Sequence, residues 1–182
     1  MIYLLAGHTV IAGRGTGAFG IDGFDEAVEA VRLRDDVTAA LRARGVKVVN
    51  EVNTSPLAQV VAWLKSIVKK EDKVIEIHFN MGPPTATGTE VYIDDTPTQE
   101  ERFFAQAVAR TIANTLGIRL RGVQGVKRES ESQHKSLAII SVPSSAINIL
   151  IEVMFGSNQN DVELYRRNYP RLVQALADTI AP

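Results

Sequence analysis

Residues 74–80, Val-Ile-Glu-Ile-His-Phe-Asn, constrain the fold more than any other stretch of the chain. A short run rich in β-branched residues follows the charged turn at 69–73, the pattern of a central strand in a helix-flanked sheet. Side chains alternate faces along a strand, so Glu76, His78 and Asn80 point one way while Ile75, Ile77 and Phe79 point the other. A polar trio on one face of an interior strand is costly unless it has partners. His78 is therefore either a hydrogen-bonded core residue or a ligand at the carboxyl end of the sheet.

With 182 residues and 45% hydrophobic content, the chain suits a single domain spanning 1–182. The formal charge of −1 and the interleaved signs along its helices argue against nucleic acid or an anionic membrane as partner. There is no cysteine, so a metal would have to be held by histidine and carboxylate. The opening Met-Ile-Tyr-Leu-Leu-Ala-Gly-His is too short an apolar run for a signal peptide or a membrane span. The chain is accordingly expected to be made in the cytoplasm without a leader, to insert in no membrane and to act as a monomer.

Residues 2–6 read as a first strand with His8 at its carboxyl end, and parity places Ile2, Leu4, Ala6 and His8 on one face. The glycine-rich loop 9–23 holds a formal G-x-G-x-x-G at 15–20. Neither the strand before it nor the helix after it lies where dinucleotide binding requires, so a flexible active-site loop is expected instead. A helix over 25–44 carries the apolar stripe Ala30, Leu33, Val37 and Leu41. Glu26 falls near the middle of that stripe, which makes it a candidate ligand, with Glu29 in reserve. Strands are expected at 46–51, 88–93, 137–142 and 147–155. A helix opened by Ser55-Pro56 is expected over 57–70, a second should start at the capping box Thr96-Pro-Thr-Gln99 and run to Gly117, and a terminal helix should be interrupted at Pro170. Residues 118–135, with Arg121 and His134, read as a solvated loop or a substrate-binding rim.

The strand–helix alternation predicts an α/β fold: a doubly wound, mostly parallel sheet with helices on both faces. The carboxyl ends of such strands converge on one crevice. His8, His78 and the apolar-run carboxylate Glu152 all sit at such ends, and Glu26 enters from the first helical turn. Two histidines and one carboxylate form the ligand set of catalytic zinc sites. The remaining glutamate is then placed to serve as general base for hydrolysis of an amide-like bond.

Several stretches together resemble the zinc-dependent N-acetylmuramoyl-L-alanine amidases, found among bacterial cell-separation and spore-wall enzymes and phage endolysins. They are Ala6-Gly7-His8, Gly17-Ala18, Gly23-Phe-Asp-Glu26, Ile77-His78-Phe79-Asn80, Gly88-Thr-Glu-Val-Tyr92 and Leu150-Ile-Glu-Val-Met-Phe155 with Ser157-Asn158. The resemblance covers nearly the whole chain. It implies Zn²⁺ bound by His8, Glu26 and His78, Glu152 as the catalytic glutamate, and peptidoglycan as partner. Asn80, Arg121 and His134 are further candidates for substrate contact. The bond cut would be the amide between the lactyl group of N-acetylmuramic acid and L-alanine. Other N-acyl amino acids or peptides, or a non-catalytic wall-binding scaffold, are the alternatives. The chain departs from the family pattern at His8-Thr9, at 15–18 and at Met154, positions that shape the cleft rather than the metal site. Its length leaves no room for a separate wall-binding domain, which suggests a bare catalytic module such as a phage lysin or an excised domain of an exported enzyme.

Overall fold

A computed structural model describes residues 1–11, 14–51, 55–142 and 147–182. Six strands form one sheet in the order β4-β1-β5-β8-β6-β7. These are β1 (Ile2–Ala6), β4 (Val48–Val49), β5 (Lys73–Asn80), β6 (Glu90–Ile93), β7 (Val126–Arg128) and β8 (Ile147–Phe155). The pairs among β4, β1, β5 and β8 are parallel; β6 runs antiparallel to β8, and β7 runs parallel to β6. A separate antiparallel pair, β2 (Val10–Ile11) and β3 (Arg14–Gly15), lies between β1 and the first helix.

The pleat divides the side chains of the sheet between two cores. On one face Ile2, Leu4, Ile75, Ile77, Ile149 and Ile151 pack against α1 (Glu26–Ala43), α3 (Gln99–Leu116) and α4 (Gln159–Ile180). The predicted stripe of α1 supplies Ala30, Leu33, Val37 and Leu41, each fully buried. On the other face Tyr3, Leu5 and Val74 meet Val60 and Leu64 of α2 (Leu57–Ile67). Among the described residues helices thus cover both faces, three on one and one on the other. Because the strands are buried from both sides, they read as nearly continuous apolar runs.

Local chemistry fixes the helix ends. Asp25 caps α1 by accepting from Val28 N (3.2 Å), and its second oxygen accepts from Gly15 N (3.0 Å), tying β3 to the start of the helix. The cap of α3 is Thr98, which accepts from Glu101 N (3.1 Å), and not Thr96, whose backbone N and hydroxyl both bond Asp94. Gly117 ends that helix in the left-handed region at φ 75°.

Several expectations are corrected. Residues 137–142 form a turn, with Ile140 N and Ser141 N donating to Leu137 O, rather than a strand. Their β-branched character instead serves burial: Ile139 and Val142 complete the core beneath α2. The loop at 118–135 contains β7, which pairs with β6. Of 46–51 only Val48–Val49 is a strand, and α2 stops at Ile67 rather than at 70. The terminal helix runs unbroken through Pro170. Proline removes the bond to the carbonyl of Arg166, and both residues lie on the exposed face, where water can serve that carbonyl. The turn expected at 143–145 lies outside the described residues. Among the described residues no helix is long and apolar enough to cross a membrane.

Candidate active site

The carboxyl end of β5 carries His78, and the residue after the end of β1 is Gly7. A Cβ at Gly7 would fall 2.2 Å from Cε1 of His78, so the ring fits only over a glycine. His8 follows at φ 66°, so the strand alternation expected to include it ends before it. This turn brings the His8 ring edge-on to that of His78, with centroids 5.0 Å apart.

Glu26 joins them from the first turn of α1. Its Oε1 lies 3.1 Å from Nε2 of His8, 3.1 Å from Nδ1 of His78 and 3.4 Å from Phe79 N, while Oε2 accepts from Ala18 N at 3.0 Å. Burial works against charge on Glu26, but hydrogen bonds from His78 and His8 outweigh it and hold the carboxyl well below the usual carboxylate range. The donor atoms of His8, Glu26 and His78 lie within 4.8 Å of one another. That set, two imidazoles and an ionised carboxylate, fits a divalent metal of zinc type. Without a metal, burial opposes charge on His78, yet Glu76 and Glu26 raise its pKa well above the usual value, so binding a metal there must displace a proton. The reserve ligand Glu29 lies elsewhere, accepting from Tyr165 OH at 3.1 Å.

Glu152 stands apart from the cluster. In the parallel pair β5–β8 it is the register partner of His78, and in β6–β8 that of Glu90, so all three share one face. Its Oε2 is buried without a hydrogen-bond partner. Burial, with Glu26, Glu90 and Glu76 adding to it and His78 opposing, pushes the Glu152 carboxyl up to about 8. A cleft of about 590 Å³ is lined by His8, Glu26, His78, Asn80, Arg121 and Glu152, among others.

Asn80 and Arg121 are engaged by a residue that the sequence did not single out for a role. Glu90 Oε1 accepts from Asn80 Nδ2 (3.0 Å) and from Tyr92 OH (3.2 Å), and Oε2 accepts from Arg121 Nε (2.8 Å) and from Lys127 Nζ (2.6 Å). Burial opposes ionisation of Glu90, but these donors prevail and its pKa is lowered. The Arg121 guanidinium also lies over the Phe155 ring, 4.7 Å from its centroid. His134 lines the same cleft from an exposed segment. Glu90 could have been found as Glu152 was, as a lone carboxylate in an apolar strand; Lys127, set in a polar segment, gave no such signal.

The formal nucleotide motif at 15–20 is occupied otherwise. Gly15 belongs to β3, and α1 starts only at Glu26, so no helix opens within the glycines.

The family model for N-acetylmuramoyl-L-alanine amidase matches residues 2–182. Among solved structures, a protein of Neisseria meningitidis described as an N-acetylmuramoyl-L-alanine amidase is 28% identical, with a TM-score of 0.78 over 99% of this chain and 93% of that one. The N-acetylmuramyl-L-alanine amidase Ami1 of Mycobacterium smegmatis is 22% identical, with a TM-score of 0.79 over 100% of this chain and 95% of that one, a likeness of fold. The uncharacterized protein YqiI of Bacillus subtilis (strain 168) is 27% identical over 166 residues, which are 89% of this chain and 73% of that protein. With one family model matched along nearly all of its length and the fold shared with solved members, the chain belongs to the N-acetylmuramoyl-L-alanine amidase family.

Proposed function

We propose that the protein hydrolyses the amide between the lactyl group of N-acetylmuramic acid and L-alanine in peptidoglycan, with Zn²⁺ held by His8, Glu26 and His78 and with Glu152 as general base. The observation that carries this reading is the division of labour among the carboxylates: Glu26 is held ionised between two histidines, while Glu152 is buried beside them without a hydrogen-bond partner for Oε2. A bound Zn²⁺ supplies Lewis acidity that activates water and polarises the amide carbonyl.

The protein's own residues do the rest. Glu152 takes a proton from the attacking water as the C–O bond forms and passes it to the nitrogen of L-alanine as the C–N bond breaks. The products are a free lactyl carboxylate and a stem peptide with a free amino terminus. Burial raises the Glu152 carboxyl above the ordinary carboxylate range, which makes it a stronger base than a solvated glutamate. Asn80 and Arg121, fixed by Glu90 at the cleft wall, hold the peptide side of the substrate. Exposed His134 contacts substrate from the rim.

Mass spectrometry of purified peptidoglycan after incubation with the protein, with added zinc and again with a chelator, tests this reading. Stem peptides beginning with free alanine are expected only when zinc is available. Their absence under both conditions would overturn it.

A further inference from the structure

Glu76 is a carboxylate that the reaction above does not use. It lies two residues before His78 on the same face of β5, is 7% exposed, and its register partners are Leu5 and Leu150. Such a residue costs free energy on folding unless it has a partner. Its Oε2 lies 3.3 Å from Nε2 of His78.

The two nitrogens of the His78 ring therefore face two different carboxylates. Nδ1 lies 3.1 Å from Glu26 Oε1, the same oxygen that lies 3.1 Å from Nε2 of His8, so Nδ1 is on the side where the candidate ligands converge. Nε2 points away from that convergence, towards Glu76. A neutral imidazole carries one N–H, and the nitrogen that binds a metal must be the bare one. A carboxylate beside the other nitrogen keeps the hydrogen there and fixes the plane of the ring. Glu76 lines a second cavity, of about 520 Å³, that adjoins the cleft through His8, Thr16, His78, His134, Leu137 and Leu150 but does not include Glu26 or Glu152.

We infer that Glu76 is a positioning residue, which accepts the Nε2 hydrogen of His78 and so holds Nδ1 bare and aimed at the metal site. The inference rests on the metal reading proposed above, and it also accounts for the polar residue at the centre of an otherwise apolar strand.

Two measurements on the whole protein test it without using activity. Long-range ¹H–¹⁵N NMR of the zinc-loaded wild type reads which nitrogen of His78 carries the hydrogen; Nε2–H with zinc on Nδ1 is expected, and zinc on Nε2 would overturn the inference with no variant needed. Competition with a chromophoric chelator reads zinc affinity in Glu76→Ala and Glu76→Gln. The alanine variant is expected to bind ~10–100-fold more weakly. Glutamine, whose carbonyl can still accept from Nε2–H, should restore most of that loss. Equal affinity in all three proteins would overturn the inference and leave the metal reading intact. A wild type that binds no zinc would overturn both.

Discussion

Glu152 and His78 are register partners across β8 and β5, yet Oε2 of Glu152 is buried with no hydrogen bond. A group kept next to the ligand cluster but outside it can change without taking the metal with it. Glu152→Gln is expected to retain one equivalent of zinc while kcat falls by about 10²–10⁴. Glu26→Gln is expected to lose the metal as well. Metal analysis alongside stem-peptide release separates the two, and loss of zinc from the Glu152 variant would mean that the two glutamates have been assigned to each other's roles.

The raised pKa of Glu152 makes the stability of the metal-free protein depend on pH. Its folded-state pKa of about 8 lies above the ordinary value of 4.5. The stabilisation linked to its proton is therefore fully present below about pH 4.5 and is lost as pH rises through about 8. Glu152→Gln, which stays neutral throughout, should melt higher than wild type at pH 9, by more than the few degrees that about 1 kcal/mol gives a chain of this size. The difference should close towards pH 4.5. Melting curves without metal across that range check the sign.

Gly7 is the point at which the backbone of β1 makes room for the His78 ring. A methyl there would meet the ring at 2.2 Å, and the ring is also held by Glu26 at Nδ1. Gly7→Ala should cost ~1–3 kcal/mol by overpacking. It should also weaken zinc binding, because the ring can yield only by leaving its ligand position. Urea unfolding and chelator competition on the same variant read both effects.

Glu90 neutralises two cations on the cleft wall. Removing its charge leaves Arg121 and Lys127, less than a quarter exposed, without their carboxylate. Glu90→Leu is expected to destabilise the fold by about 3–5 kcal/mol, the cost of breaking a buried pair from one side. Denaturant midpoints measure it. Glu90→Gln, which keeps acceptors for Asn80 and Tyr92, should cost less.

The strands that carry the site were legible because an isolated charged side chain in a β-branched run is conspicuous, as at His78 and Glu152. Glu26 was legible because it interrupts a helical stripe. What escaped were features set by tertiary partners. Residues 137–142 have strand composition but form a turn, in which their β-branched side chains Ile139, Ile140 and Val142 are buried without pairing. The left-handed turn at His8 could not be read either, because strand parity is a local rule, whereas the turn at φ 66° accompanies contacts to Glu26 and His78 from distant parts of the chain. Pro170 misled for the opposite reason: propensity assigns proline a break, but a well-packed helix whose proline faces water tolerates the missing bond.

The central position of β8 has a consequence for how the molecule assembles. It is the last strand in the chain, yet it lies between β5 and β6, which precede it by more than fifty residues. During synthesis the two earlier strands have no partner between them until residues 147–155 emerge and thread the gap. Such long-range pairing is slow, and its entropic cost is met all at once. Insertion of β8 closes the sheet and sets Glu152 opposite His78 in the same event. The candidate site therefore has no half-built form: a chain either has its middle strand and Glu152 together or has neither.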